Sequence, residues 1–254
     1  MALTDKLTAI ADAIRGKTGG TEELTLDQMA VEIEGISGGG DTTQEDGIVE
    51  QTITEYTNNR VTKVGQNTFR NWTNLRSVSM KECTEIEGDA FNGCTNLSSV
   101  FFPSLTAIKT RGFHQTGLVE VTDANFPKLT YLTQCFNNCA SLKRIVLPNV
   151  KAITNSQTGC TGLEYAEYAK AQSISISAFN NCTVFDTLVL RNNALVTLAN
   201  INAFTNTPFA SGGTGGTVYV PQALIEQYQQ ATNWSTLYAA GTCEFVAIEG
   251  SEYE

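Results

Sequence analysis

The chain has 254 residues and a mass of 27.4 kDa, enough for one large domain or for a small head joined to a larger body. Charged residues make up only 17%, and the formal net charge of −10 argues against electrostatic binding to nucleic acid or to an anionic membrane. Seven cysteines are too few for a disulfide-rich scaffold of this length. The single histidine argues against a His-dependent catalytic triad and against most His-based metal sites.

Charge divides the chain into three parts. Residues 1–47 carry a net charge of −7, residues 48–217 carry +2 and residues 218–254 carry −5. Charged side chains such as Asp5, Lys6 and Asp12 occupy the region where a secretion signal needs an apolar run. No stretch approaches the roughly 18 apolar residues of a membrane helix. We therefore expect neither signal-driven export nor membrane insertion.

Residues 1–36 are predicted to form a helical attachment head, followed by a glycine-rich linker over residues 37–47. Apolar residues recur at helical spacing in two segments: Leu7, Ile10 and Ile14 in the first, and Met29, Ile33 and Ile36 in the second. Two helices of about three turns bury too little surface to fold alone. We expect them to pair with a second copy, giving a homo-oligomer, or with a docking partner.

A repeat of about 22 residues dominates residues 48–217. Each copy begins at an anchor position, usually Phe, and continues with apolar residues at positions +3, +6, +9 and +11. The seven anchors are Phe69, Phe91, Phe113, Phe136, Gln157, Phe179 and Phe204. The copy at Phe113 is one residue short, and the last copy is interrupted by a glycine-rich stretch at residues 212–216.

The pattern within one copy predicts one coil of a solenoid. Apolar spacing of three after the anchor predicts a short helical turn, and the alternation that follows predicts one strand. Such a unit closes a core only by stacking on its neighbours. Residues 218–254 predict a helix-and-strand cap, with Pro221 at the first helical turn and Phe245 in the strand. The expected fold class is an α/β repeat solenoid of about seven coils between a helical head and this cap.

The repeats resemble BspA-type leucine-rich repeats of bacterial and phage proteins. Residues 90–100 (AFNGCTNLSSV) and 178–182 (AFNNC) carry the resemblance, which implies a leucine-rich-repeat solenoid with a role in adhesion or receptor binding. Residues 3–15 and 24–29 are similar to head segments of tail and fibre-like proteins in phages and prophages of Gram-positive bacteria. This second resemblance implies docking to other tail proteins and assembly into a virion in the bacterial cytoplasm.

The outward positions of the predicted strands form a candidate binding face. They are Ser77, Ser79, Ser99, Phe101, Arg144, Val146, Tyr165, Glu167, Thr187 and Val189. Four of these side chains (Phe101, Val146, Tyr165 and Val189) are apolar or aromatic at positions expected to face solvent. Such a surface is typical of a binding site. Ordinary filling of a sheet with residues of high β-propensity would produce the same pattern.

Cysteine and histidine positions favour structural roles over chemical ones. Cys94, Cys139, Cys160 and Cys182 share one repeat phase and lack the paired spacing of zinc sites, so we expect buried packing thiols. His114 follows an anchor and is expected on the surface, with no nucleophile or orienting group converging on it. We predict no catalytic, cofactor or metal site.

The leading hypothesis is a non-enzymatic phage or prophage virion component, a tail-tip or fibre-like protein. Its head would dock to other virion proteins, and its solenoid would bind a host surface protein, a host glycan or another tail protein. The alternative is a BspA-like adhesin on the bacterial cell surface.

Overall fold

The structure is a computed structural model and describes residues 53–254, which wind into a solenoid of parallel strands. The predicted head, its two apolar stripes and the whole linker over residues 37–47 lie outside the described residues. About seven coils follow the predicted period. Most coils contribute two strands where one was predicted.

The first strands of successive coils form the main column. They are β1 (Glu55–Thr57), β3 (Ser77–Ser79), β5 (Ser99–Phe101), β7 (Glu120–Val121), β9 (Arg144–Val146), β11 (Tyr165–Tyr168), β13 (Thr187–Leu190), β15 (Gly216–Val220) and β16 (Cys243–Ala247). They pair in register as two parallel sheets, β1-β3-β5 and β7-β9-β11-β13-β15-β16.

The second strands are two residues long and form another column. They are β2 (Lys63–Val64), β4 (Glu85–Ile86), β6 (Ala107–Ile108), β8 (Tyr131–Leu132), β10 (Ala152–Ile153), β12 (Ser173–Ile174) and β14 (Thr197–Leu198). They too form two parallel sheets, β2-β4-β6-β8 and β10-β12-β14. This column was not predicted, because only one residue of each strand is apolar and buried, too few for an alternation to be visible in the sequence.

The main column is interrupted between β5 and β7, beside the short copy. Here the Phe102 amide donates to the Asn125 carbonyl (2.9 Å), and the Asn125 side-chain amide donates to the Val100 carbonyl (2.9 Å). These two hydrogen bonds replace strand pairing. The short copy therefore shifts the ladder without leaving these backbone groups unpaired.

The segment after each anchor is a series of tight turns, so the prediction of a helical turn was wrong. Amides bond to carbonyls three residues back, as from Cys94 to Phe91 (3.2 Å) and from Leu97 to Cys94 (3.0 Å). The residue two positions after the anchor has a positive φ of 55° to 79° in all seven copies: Asn71, Gly93, Gln115, Asn138, Gly159, Asn181 and Asn206. A left-handed residue cannot continue an α-helix.

These left-handed residues connect neighbouring coils. In six copies their amides donate to carbonyls of the next coil at 2.7–3.0 Å, as from Gly93 to His114. Amides of anchor phenylalanines do the same at 2.8–2.9 Å, as from Phe91 to Gly112. The turns thus form a third inter-coil ladder beside the two strand columns. Asn and Gly suit this position because both tolerate positive φ.

The anchors form the centre of the core. Rings of Phe69, Phe91, Phe113 and Phe136 stack in sequence with centroids 4.9–5.8 Å apart. Buried Gln157 interrupts this column, and stacking resumes between Phe179 and Phe204 at 5.7 Å. The buried hydrophobic residues nonetheless form one continuous cluster from Val64 to Phe245.

The carboxyl-terminal cap forms as predicted and covers the last coil. A 3-10 turn (Gln222–Leu224) leads into α1 (Ile225–Gln230), followed by α2 (Trp234–Ala239) and β16. The Trp234 indole donates to the Val196 carbonyl (2.8 Å), and the Tyr228 hydroxyl accepts from the Val196 amide (3.0 Å). These bonds occupy backbone groups at the end of the second column, which would otherwise form an open sheet edge. No helix among residues 53–254 is long and apolar enough to cross a membrane.

The stacked anchors predict a large stability loss on truncation. Phe136→Ala should lower the free energy of unfolding by about 3–5 kcal/mol, because it leaves a cavity beside Phe113 and Phe126. Urea denaturation followed by circular dichroism measures this, with the exposed Tyr131→Ala as control. A loss below about 1 kcal/mol would show that the anchor column does not carry the core.

Candidate functional site

The candidate binding face exists as the outer side of the main strand column, but its two halves differ. The open half consists of Ser77, Ser79, Ser99 and Phe101 on β3 and β5, and all four are partly or fully exposed. The covered half consists of Arg144, Val146, Tyr165, Glu167, Thr187 and Val189 on β9, β11 and β13. Register places the members of each half side by side on neighbouring strands.

Two residues of the covered half contradict the expectation of solvent exposure. Tyr165 is 8% exposed and Val189 is fully buried. Both pack with Ile248, and the partly buried Val146, Tyr219 and Tyr253 complete this small cluster. The segment after β16 folds back over the sheet and covers them. Sequence analysis could not find this cover, because residues 248–254 belong to no repeat.

A polar network lies beside this cluster. The Arg144 guanidinium sits 4.1 Å from the centre of the Tyr165 ring, a cation–π contact. The Tyr165 hydroxyl donates to Glu167 (2.5 Å), which also accepts from Arg191 (2.5 Å). Burial and the neighbouring Glu167 carboxylate raise the pKa of the Tyr165 hydroxyl. These contacts hold the covered half in one arrangement.

The open half presents one large apolar side chain among small hydroxyls. Phe101 is 42% exposed and pairs in register with Ser79, while Ser77 and Ser99 occupy the neighbouring outward positions. No residue from the end of the chain belongs to a cluster with them. The ring is available for contact, and the surrounding hydroxyls can donate or accept hydrogen bonds.

His114 is part of a structural network that spans three coils. Its Nδ1–H donates to Asn92 Oδ1 (3.0 Å), and its Nε2 accepts from the Asn138 side-chain amide (2.9 Å). Asn92 also donates to Asp89 (2.6 Å), which pairs with Arg111 (2.9 Å). This pattern requires the neutral imidazole. Burial and the positive charge of Arg111 lower the pKa of His114 accordingly.

The four phased cysteines are buried free thiols, and they also make hydrogen bonds that sequence analysis missed. Each Sγ donates to the carbonyl of the anchor one coil earlier: Cys94 to Phe69, Cys139 to Phe113, Cys160 to Phe136 and Cys182 to Gln157, at 2.9–3.0 Å. Burial raises the pKa of the Cys94 thiol to about 12, so this group keeps its proton at neutral pH. In residues 53–254, no cluster of His, Cys, Asp or Glu could hold a metal ion.

The neutral His114 predicts a titration with a definite sign. Its pKa should be lower in the folded chain than in urea, where it returns to about 6.5. Its contribution to stability is then present above the unfolded pKa and is lost as pH falls through the folded pKa. The single histidine gives one resolvable imidazole Hε1 signal by NMR, so both midpoints can be measured directly. An equal or higher folded midpoint would contradict the network, and His114→Asn should flatten the stability profile in this pH range.

Three comparisons place the chain among known proteins. No curated protein matches it. A leucine-rich repeat protein of Treponema pallidum is 23% identical over 57% of this chain and 70% of its own length, with a TM-score of 0.47. The pneumococcal vaccine antigen PcpA is 11% identical over 78% of this chain and 44% of its own, with a TM-score of 0.46. A leucine-rich cell surface protein of Faecalibacterium prausnitzii is 16% identical over 78% and 79%, with a TM-score of 0.32.

The family match covers most of the solenoid. The model of the BspA-type leucine-rich repeat region matches residues 51–134 and 128–212 and describes a region of six repeats. The matched residues include all seven anchors and every strand from β1 to β14. The chain belongs to the BspA-type leucine-rich repeat family.

Proposed function

We propose that this chain is a non-enzymatic binding protein that holds a surface protein or glycan of a target cell on the outer face of its solenoid. The observation that carries the proposal is the exposed ring of Phe101 on the open half. A large apolar side chain with polar neighbours is the usual composition of a contact centre. Membership of a repeat family supports the proposal, because stacked repeats build extended binding surfaces.

The chemistry of the described residues supports binding over catalysis. His114 is held neutral between two asparagines, and the phased cysteines are buried with their protons engaged. Neither group is offered to a substrate as a nucleophile or a base. We therefore keep the proposal that the chain is not an enzyme and needs no cofactor.

Two settings fit a binding solenoid. The family match fits a BspA-like adhesin on the bacterial cell surface at least as well as it fits a virion component. The support for the virion setting is the resemblance of residues 3–15 and 24–29 to phage tail and fibre heads, and those residues lie outside the described part of the chain. We favour the adhesin setting and keep the virion as second candidate, with residues 1–36 as its docking or oligomerisation segment.

Phe101→Asp should weaken target binding at least tenfold, a loss of about 1.4 kcal/mol, because it places a charge at the contact centre. The side chain points away from the core, so the fold should persist. Tyr131→Asp is the matched control, since it alters an exposed aromatic residue on β8, in the second column.

Binding of the fluorescently labelled full chain to intact cells, measured by flow cytometry, tests this prediction. Animal epithelial cells represent the target of an adhesin, and intact Gram-positive cells represent the target of a virion. Saturable binding that Phe101→Asp reduces and Tyr131→Asp preserves is the expected result, and the responding cell type selects the setting. Equal binding by both variants, or no saturable binding to either cell type, would contradict the proposal.

A further inference from the structure

Ile248 is the fixed part of the cover on the binding face, because its side chain packs with Tyr165 and Val189 and its amide donates to the Val220 carbonyl (3.0 Å). The short segment that follows it, residues 249–254, is anchored by one side chain. In residues 249–254 only Ser251 and Tyr253 are partly buried, and the other four residues are exposed. The Tyr253 ring packs against Tyr219 at 4.5 Å, edge to face, and against Tyr165 at 5.4 Å. Tyr253 is therefore the part of this segment that fills a place on the sheet.

Few other bonds tie the segment to the solenoid. Among its hydrogen bonds, one reaches the body of the protein, from the Gln222 amide to Glu249 (2.9 Å). The rest stay within residues 248–254, such as those from the Ser251 amide to the Ile248 carbonyl (3.0 Å) and from the Tyr253 amide to Ser251 Oγ (3.1 Å). The segment thus folds as its own tight turn and is held in place chiefly by a ring. The free energy needed to open a cover of this kind is low.

The site that Tyr253 fills is lined by aromatic rings and lies near a positive charge. These features suit a tyrosine that is flanked by acidic residues. Tyr165 and Tyr219 supply two ring surfaces. Arg144 lies over Tyr165, close enough that its positive charge partly offsets the rise in the pKa of Tyr253 that burial causes. The segment itself carries Glu249, Glu252 and Glu254 around its single tyrosine.

We propose that the site formed by Arg144, Tyr165, Val189 and Tyr219 is a docking site for a tyrosine in a short acidic segment, and that Tyr253 occupies it within the same chain. A partner segment of this chemistry would displace residues 249–254 and occupy the place of Tyr253 against the Tyr165 and Tyr219 rings. The inference rests on the proposed binding function and names a partner class for this half. The chain's own segment then competes with the partner, so that a higher partner concentration is needed for binding.

The short tether sets an upper limit on the Kd of this site for a free peptide. A tethered segment this short experiences an effective concentration in the mM range. Because the tethered Tyr253 occupies the site, a free peptide of the same sequence should bind an emptied site with a Kd below roughly 1 mM. In the wild-type chain the tethered copy competes, so the apparent Kd should be higher by a factor of at least about two.

The test uses the full chain carrying Tyr253→Ala, which removes the anchor ring and leaves the solenoid unchanged. An acetylated peptide of residues 249–254 (EGSEYE) is titrated while methyl signals of Val146 and Val189 are followed by NMR. We expect saturable shifts with Tyr253→Ala, and binding to the wild type that is weaker by a factor of at least about two. Tyr253→Phe, which keeps the ring, should behave as the wild type, and adding Arg144→Gln to Tyr253→Ala should weaken binding.

Three results would overturn the proposal. They are the absence of methyl shifts in Tyr253→Ala up to about 5 mM peptide, equal binding of a peptide with Ala in place of its tyrosine, and dimerisation of Tyr253→Ala by light scattering. The last would show that a second copy covers this site. Phe101 lies on the other half of the face, so a failure here is distinguishable from a failure of the cell-binding experiment.

Discussion

The solenoid depends on the stacking of one buried ring on the equivalent ring of the next coil. Phe69, Phe91, Phe113 and Phe136 form a continuous column, and the anchor amides donate across the same gap. A single coil cannot bury its anchor, so each coil is stable only beside its neighbours. The ring stack and the backbone ladders share the same gap between coils, and the main strand column continues in register through the coil of Gln157, which has no anchor ring. The regular spacing of the side chains on the outer face follows from the same repeat.

The turns that follow the anchors let the backbone accommodate this stacking. A left-handed residue two positions after each anchor ends any helical path and, in six copies, directs an amide toward the next coil. The cysteines add a second donor to carbonyls of the preceding coil, as Cys94 does at Phe69. Small buried thiols can fill the space and still satisfy a carbonyl, which a methyl group could not do. Neutral polar side chains thus connect coils in a chain that has few charges.

The 22-residue period was enough to predict the anchors and the main strands, since both depend on apolar residues at fixed intervals. The cap was predicted from a separate signal, Pro221 ahead of a helical segment and the apolar strand at Phe245. The turns were misassigned because a spacing of three is common to a helix and to successive tight turns. Asn and Gly two positions after the anchor, as at Asn71 and Gly93, were the available signal for left-handed backbone. The cover over Tyr165 and Val189 was beyond prediction, because it depends on a contact between a repeat and a segment that follows no repeat.

The division of the outer face has a functional consequence. Phe101 is exposed, whereas Tyr165 is buried and packs against Tyr253. A solenoid with one open and one covered half can make a first contact through the open half. Displacement of Tyr253, as proposed above, would then add the Tyr165 and Tyr219 rings to the contact. The proposal thus implies binding at two levels of affinity without any change in the core.

Native-state hydrogen exchange of the anchor amides tests the central claim most directly. The amides of Phe91, Phe113 and Phe136 bond across the gap between coils, whereas the Gly213 amide bonds within its own loop to Ala210 (2.8 Å). The account predicts that the three anchor amides are among the slowest to exchange and open only with global unfolding, while Gly213 exchanges by local opening. Anchor amides that exchange as fast as Gly213 would contradict the account.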